Sequence, residues 1–139
     1  MSGKPTYGER FIVGSDRDEI DRIQQDILGI LARHGYDDAA RFAVRTAIEE
    51  AVSNAIRHGN DNDPRRKVTI EYAADEVSIE IEIEDEGTGF DPESVPDPTR
   101  PENVDIPSGR GIMLMRVYMS EVEFTPAGNR VRMRYDKTP

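Results

Sequence analysis

Residues 77–85 read VSIEIEIED, in which apolar and polar side chains alternate without a break from Val77 to Glu84, and this run constrains the architecture more than any other stretch. Successive side chains of a strand point to opposite faces, so Val77, Ile79, Ile81 and Ile83 share one face while Ser78, Glu80, Glu82 and Glu84 take the other. A one-residue slip would carry the glutamates into the core, so the register is strongly specified. The chain must therefore build a sheet with one covered face and one wet face. Asp85 continues the inward parity, which places a carboxylate on the covered side, where it needs a partner.

Helices supply the cover. Ser15 and Asp18 have the Ser-x-x-acid spacing of a helix start, and Ile20, Ile23, Ile27, Ile30 and Leu31 recur at threes and fours up to His34-Gly35, a glycine-type stop. A second helix is expected from about Asp37 to Gly59, with a stripe of small residues at Ala40, Ala43, Ala47 and Ala51 that allows close approach. GNDNDPRR, residues 59–66, reads as a turn-rich loop, and Val68, Ile70 and Tyr72 as the inward positions of a strand. Residues 91–108 hold five prolines, five acids and few aliphatics, which reads as a long loop inside the domain. A short helix from Gly111 to about Met119 and strands at 121–124 and 131–135 follow, with Met113, Met115 and Met119 expected in the core. The pattern predicts one α+β domain over 1–139, a two-layer sandwich whose mainly antiparallel sheet is covered by helices on one face. Glu80 and Glu82 should pair across strands with the basic run Arg130, Arg132 and Arg134.

Composition removes several chemistries. With 28 acids against 18 Lys+Arg the net charge is -10, a repulsive average field for a phosphate backbone, so no direct nucleic-acid partner is expected. No cysteine and two histidines rule out thiolate zinc sites, cysteine nucleophiles and a three-histidine metal site; carboxylate and amide ligands suit hard ions such as magnesium. No apolar run approaches the ~20 residues of a membrane span, and MSGKPTYGER lacks a signal-peptide core; the expectation is a cytoplasmic protein with no membrane partner.

Three places can carry chemistry. Glu50 and Asn54 stand four apart on one line of the second helix, with Glu49 about 100° away and expected to face water. The pair is either a solvated helix face or a carboxylate and an amide able to bind a hard cation and serve as a general base. Asp85, followed by Gly87-Thr88-Gly89, either caps a turn at a fraying strand end or accepts a hydrogen bond from an exocyclic amine such as adenine's. Gly109-Arg110-Gly111, immediately before the helix IMLMRVYM, is either a plain helix cap or an anion site built from free amides. His34 and His58, each before a glycine at a helix end, read as structural. Neither Gly-x-x-x-x-Gly-Lys-Ser/Thr nor a helix-opening Gly-x-Gly-x-x-Gly is present.

Taken together and in order, EEAVSNAIRHG, IEDEGTGFD and SGRGIML resemble the N box and two glycine boxes of the Bergerat-fold (GHKL) ATPases, the superfamily of gyrase and the histidine kinases. The Glu-Ala-Val-Ser-Asn form of the first box is most similar to the anti-sigma factor serine/threonine kinases of bacterial partner-switching systems. The resemblance covers roughly residues 10–135 and implies ATP and magnesium as cofactors. It further implies Glu50 as general base, Asn54 as magnesium ligand, Asp85 as adenine partner, Gly87 and Gly89 as pocket floor, and Gly109, Arg110 and Gly111 around the phosphates. Arg57 stands where kinase relatives often carry a basic residue, and residues 91–108 would be the ATP lid. The implied activity is phosphorylation of an anti-sigma factor antagonist by a homodimer that also sequesters a sigma factor. The alternatives are a nucleotide-binding module without transfer, or a fragment of an ATPase or sensor kinase. The final turn, Gly128-Asn129-Arg130, departs from the Gly-Thr pair of many relatives.

Overall fold

In the computed structural model the described residues are 7–14, 16–60, 63, 65–87, 109–125 and 129–137. The expected loop at 91–108, and Gly89 before it, lie outside them. Five strands form one sheet in the order β1-β2-β3-β5-β4: β1 Tyr7–Val13, β2 Val68–Ala74, β3 Ser78–Asp85, β4 Glu121–Phe124 and β5 Arg130–Asp136. Every pairing among the described residues is antiparallel. Helices α1 Arg17–Arg33, α2 Asp38–Asn54 and α3 Gly109–Tyr118 contribute the other layer of the expected two-layer α+β sandwich.

The alternation of β3 anchors this arrangement. Ile79, Ile81 and Ile83 are buried, and Ile81 faces Tyr72 on one side and Met133 on the other, while Ile83 faces Ile70 and Val131. Burying each such side chain contributes about 1.5–3 kcal/mol, which makes a register slip prohibitive. On the wet face Glu80, Glu82 and Glu84 stand opposite Arg134, Arg132 and Arg130, the acid-to-base pairing read from the sequence. Arg130 meets Glu84 at 3.2 Å and Glu82 at 3.8 Å, whereas Arg132 and Arg134 turn to Glu123 and Glu121 of β4. Val77 departs from expectation: it is 62% exposed, because it lies in the turn whose N–H groups are taken by Asp75 rather than in the strand.

α1 starts with Asp16 as its cap, accepting from the Asp18 N–H at 3.0 Å; Ser15 lies outside the described residues. It ends in a Schellman motif: Gly35 (φ 81°) donates to the Ala32 carbonyl and Tyr36 to the Leu31 carbonyl. Asp37 then caps α2 by accepting from the Ala40 N–H at 2.8 Å. The alanines at 40, 43, 47 and 51 are all buried. Regular α2 stops at Asn54, earlier than the sequence suggests, and continues as a π-helical turn, Ala55–Gly59, closed by the Asn60 N–H donating to the Ala55 carbonyl at 2.8 Å.

α3 begins at Gly109, so Gly109, Arg110 and Gly111 form its first turn instead of preceding it. Met115 and Met119 are buried, but Met113 is 51% exposed because it falls on the outer side of this short helix. Gly111 sits against the end of α2, and Tyr118 packs edge-on to Phe42 near its start at 5.7 Å, so α3 runs antiparallel along α2. Among the described residues no helix is long and apolar enough to cross a membrane.

Candidate functional site

Helical phasing separates the adjacent glutamates. Glu49 is partly covered and held by Arg17 of α1, so it does not simply face water as expected. Glu50 and Asn54, both half-buried, look the other way, toward α3. A Cβ on Gly111 would stand 2.9 Å from Glu50 Oε2 and 3.4 Å from Asn54 Nδ2. The glycine lets the first turn of α3 come this near the two side chains without displacing the Glu50 carboxylate.

Asp85 closes β3 with 8% exposure. Its Oδ1 accepts from the Gly87 N–H at 2.8 Å, and its own N–H donates to the Asn129 carbonyl at 2.9 Å. Burial pushes the carboxyl above the usual aspartate range, and Glu84 adds to this; the Gly87 N–H and Arg66 act in the opposite direction. Gly59 lies against this carboxylate so closely that a Cβ would overlap it, and a Cβ on Gly87 would overlap the Gly59 carbonyl. The π-helical turn, the end of β3 and the segment after it are thus locked together by two missing side chains.

A small cleft, open to solvent, lies between these elements. Ala51, Ile83 and Met115 provide apolar wall, and Asn54, Asp85 and Asn129 provide the polar groups. Apolar walls with one aimed carboxylate suit a flat heteroaromatic base carrying an amine. Glu50 and Asn54 lie where α2 meets the first turn of α3, so one face collects a small cleft, a carboxylate, an amide and a helix N-terminus. Among the described residues no three His, Cys, Asp or Glu side chains gather into a metal cluster. A divalent ion held here would draw on Asn54 and Glu50 and take its remaining oxygen ligands from phosphate or water, as magnesium commonly does.

The structure brings Glu50, Asn54, Asp85, Gly87 and Gly111 together. Arg57 is exposed on the π-helical turn and does not line the cleft. Gly109 and Arg110 are in the first turn of α3, and Gly89 is outside the described residues. Asn129 was noted in the sequence only as part of a final turn that departs from the Gly-Thr pair of many relatives, and Asn60 was not picked out at all. Asn129 was accessible in principle: extending the Glu84-to-Arg130 pairing by one residue sets Asp85 beside it. Asn60 carried no signal, because in a run of Gly, Asn, Asp and Pro a buried asparagine looks like another turn residue.

The comparisons with known proteins bear on the domain as a whole. Residues 13–135 match the model of the histidine kinase-like ATPase domain. Similar proteins include an anti-sigma F factor of Oceanobacillus iheyensis, 36% identical over 86 residues, covering 60% of this chain and 59% of that protein. A serine-protein kinase RsbW of Listeria monocytogenes is 28% identical over 101 residues, covering 68% of this chain and 64% of that one. An anti-sigma F factor of Geobacillus stearothermophilus is 37% identical over 83 residues, with coverages of 57% and 56%. The chain thus spans about three fifths of the length of the curated relatives it matches. With the family's model matching from β1 to β5 and the boxes of the GHKL resemblance arranged around one cleft, the chain belongs to the histidine kinase-like ATPase domain family.

Proposed function

We propose that the protein is an ATP- and magnesium-dependent serine/threonine kinase that acts as an anti-sigma factor, phosphorylating an antagonist protein and sequestering a sigma factor. Its similarity to an anti-sigma F factor and to a serine-protein kinase supports this reading. The observation that carries it is the placement of Glu50 beside Asn54, facing the first turn of α3, next to a cleft that ends at the Asp85 carboxylate. We assign the whole of 1–139 to one domain, working as a cytoplasmic homodimer without nucleic-acid or membrane partners.

Bound ATP with its magnesium ion supplies the phosphoryl group and neutralises its charge. Asp85 accepts a hydrogen bond from the exocyclic amine of the base, and the apolar wall from Ala51 to Met115 excludes water from its faces. Asn54 offers a neutral oxygen to the metal, and its neutrality leaves the ion's charge for the phosphates. Glu50 would take the proton of the incoming serine hydroxyl as its oxygen bonds to the γ-phosphorus of ATP, while the bond from that phosphorus to the bridging oxygen breaks and ADP leaves with the electron pair. Gly87 and Gly89 form the pocket floor, and Gly109, Arg110 and Gly111 with Arg57 meet the phosphates beneath a lid at 91–108. Catalysis of this kind is chiefly positioning and charge neutralisation.

The test is transfer of labelled phosphate from ATP to a candidate antagonist protein. Glu50→Gln should keep ATP affinity and lower the rate roughly 10²- to 10⁴-fold. Asn54→Ala should weaken the magnesium-dependent part of binding as well, and Glu49→Gln should transfer normally. A wild-type protein that binds ATP and holds a sigma factor but transfers nothing would replace the kinase with a nucleotide-gated binding module.

A further inference from the structure

Val68 opposite Asp85 is the last register pair of β2 and β3, and the next pair would be Lys67 opposite Glu86. In its place stands the side chain of Asn60, which is 2% exposed. Its Nδ2 donates to the Lys67 carbonyl at 2.9 Å and its Oδ1 accepts from the Glu86 N–H at 2.8 Å. The amide therefore substitutes for a ladder hydrogen bond and holds the two strands apart by the width of a side chain. Its backbone is committed too: the N–H closes the π-helical turn on Ala55, and the carbonyl accepts from the Asp63 N–H at 2.9 Å. Lys67 and Glu86 are further tied by the Lys67 N–H donating to Glu86 Oε1.

This wedge holds the N–H of Glu86, the residue between Asp85 and Gly87. Gly59, immediately before Asn60, lies against the Asp85 carboxylate, and the Gly87 N–H that orients Oδ1 belongs to the residue after Glu86. Moving the Glu86 peptide would move that donor and turn the carboxylate. We infer that Asn60 is a positioning residue for base selection: its amide, wedged between Lys67 and Glu86, fixes the direction in which Asp85 presents its carboxylate to the nucleotide base. The inference rests on the reading of Asp85 as the adenine partner. Only a carboxamide fits the demand, since one face must donate to a carbonyl and the other accept from an N–H; aspartate offers two acceptors and alanine neither.

The readout is the ratio of ATP to inosine triphosphate affinity, measured by calorimetric titration, because the second nucleotide carries a carbonyl where the first has the amine. The wild type should favour ATP at least tenfold. Asn60→Ala should reduce that preference at least fivefold, toward the value of Asp85→Asn, and the double variant should reduce it no further. Asn60→Asp, close in shape and keeping an acceptor for Glu86, should lose the preference as well and serves if the alanine variant folds poorly. Gly35→Ala, which loosens the far end of the molecule, should lower the melting temperature with the ratio intact. An Asn60 variant that weakens both nucleotides in parallel, leaving the ratio at its wild-type value, overturns the inference and leaves the Asp85 assignment standing. A wild type that binds both nucleotides equally overturns the two together.

Discussion

Asp75 and Asp85 stand at opposite ends of the β2–β3 hairpin, and the protein uses them in opposite ways. Oδ1 of Asp75 accepts from the Val77 and Ser78 N–H groups at 2.8 and 2.9 Å, and its carbonyl accepts from the Tyr36 hydroxyl at 2.8 Å. Lys137 closes the same end, donating to the His34 carbonyl at 2.6 Å and lying 4.8 Å above the Tyr36 ring. The polar groups there are turned on one another, and the hairpin is shut. At the other end Asn60 keeps the strands apart and Asp85, buried and raised in pKa, lines a cleft. A buried carboxylate costs stability unless something compensates it. The contrast teaches that one end of the hairpin is spent on holding the fold and the other on holding a ligand.

The largest expected effects come from filling a glycine at each end. Gly59→Ala drives a Cβ into the Asp85 carboxylate, so either the π-helical turn or the end of β3 must shift; overpacking of this kind costs about 1–3 kcal/mol. ATP affinity should fall at least tenfold with it. Gly35→Ala brings a Cβ to 3.3 Å from Lys137 Nζ and costs about 1 kcal/mol for its positive φ. Its ATP affinity should be that of the wild type. Denaturant unfolding and calorimetric titration of both variants check the contrast, which breaks if Gly35→Ala loses nucleotide or Gly59→Ala keeps it.

Next come the aspartates themselves. Asp75→Ala strands two backbone donors and should cost about 1–2 kcal/mol with binding unchanged. Asp85→Asn should do the reverse, because the folded state prefers this carboxyl protonated. A raised pKa means that the stability Asp85 contributes is present below its unfolded value of 3.8 and is lost as pH rises through the folded value. At pH 7 the ionised group is therefore a burden, and Asp85→Asn should match or exceed the wild type in stability. Its ATP affinity should drop by about 1.5–3 kcal/mol, the worth of a charge-assisted hydrogen bond. A variant both less stable and undiminished in binding would mean that Asp85 is a turn cap after all.

The legible parts of the molecule are those where periodicity is long. Eight alternating residues at 77–84 announce the sheet and its wet face, their parity carried on by one residue announces the inward turn of Asp85, and the three arginines of β5 announce the neighbouring strand. Glu50 and Asn54 are legible as a pair because a helix repeats every 3.6 residues. Features set by the packing of distant segments leave no such mark. The first half of β1, Tyr-Gly-Glu-Arg, has no alternation and is a strand because β2 pairs with it. The π-helical turn is one extra residue in a helical pattern, and Glu49 is diverted from solvent by an arginine 32 positions away. Asn60 becomes visible only when Lys67 and Glu86 are seen on either side of it.

The smallest predicted effect sharpens the closed end. Tyr36 is buried, and burial first, then the nearby Asp75, Asp136 and Tyr135, pushes its hydroxyl from 10.0 up to about 12. The protonated phenol is the form the fold favours, so its contribution is complete below pH 10, where the unfolded chain also keeps the proton. Between pH 10 and about 12 the unfolded state releases its proton first, and stability should decline across that window. Tyr36→Phe removes the hydroxyl while leaving a ring beneath Lys137. At pH 7 it should cost about 1 kcal/mol for the lost bond to the Asp75 carbonyl. Its stability should then fall less steeply than the wild type's above pH 10, the remaining slope coming partly from Tyr72, whose hydroxyl burial also raises. Denaturant midpoints of both proteins at intervals from pH 7 to 12 measure this, with ATP affinity at pH 7 as the control. Parallel curves would remove Tyr36 from the alkaline transition, and a loss of ATP affinity would show that the closed end is not independent of the open one.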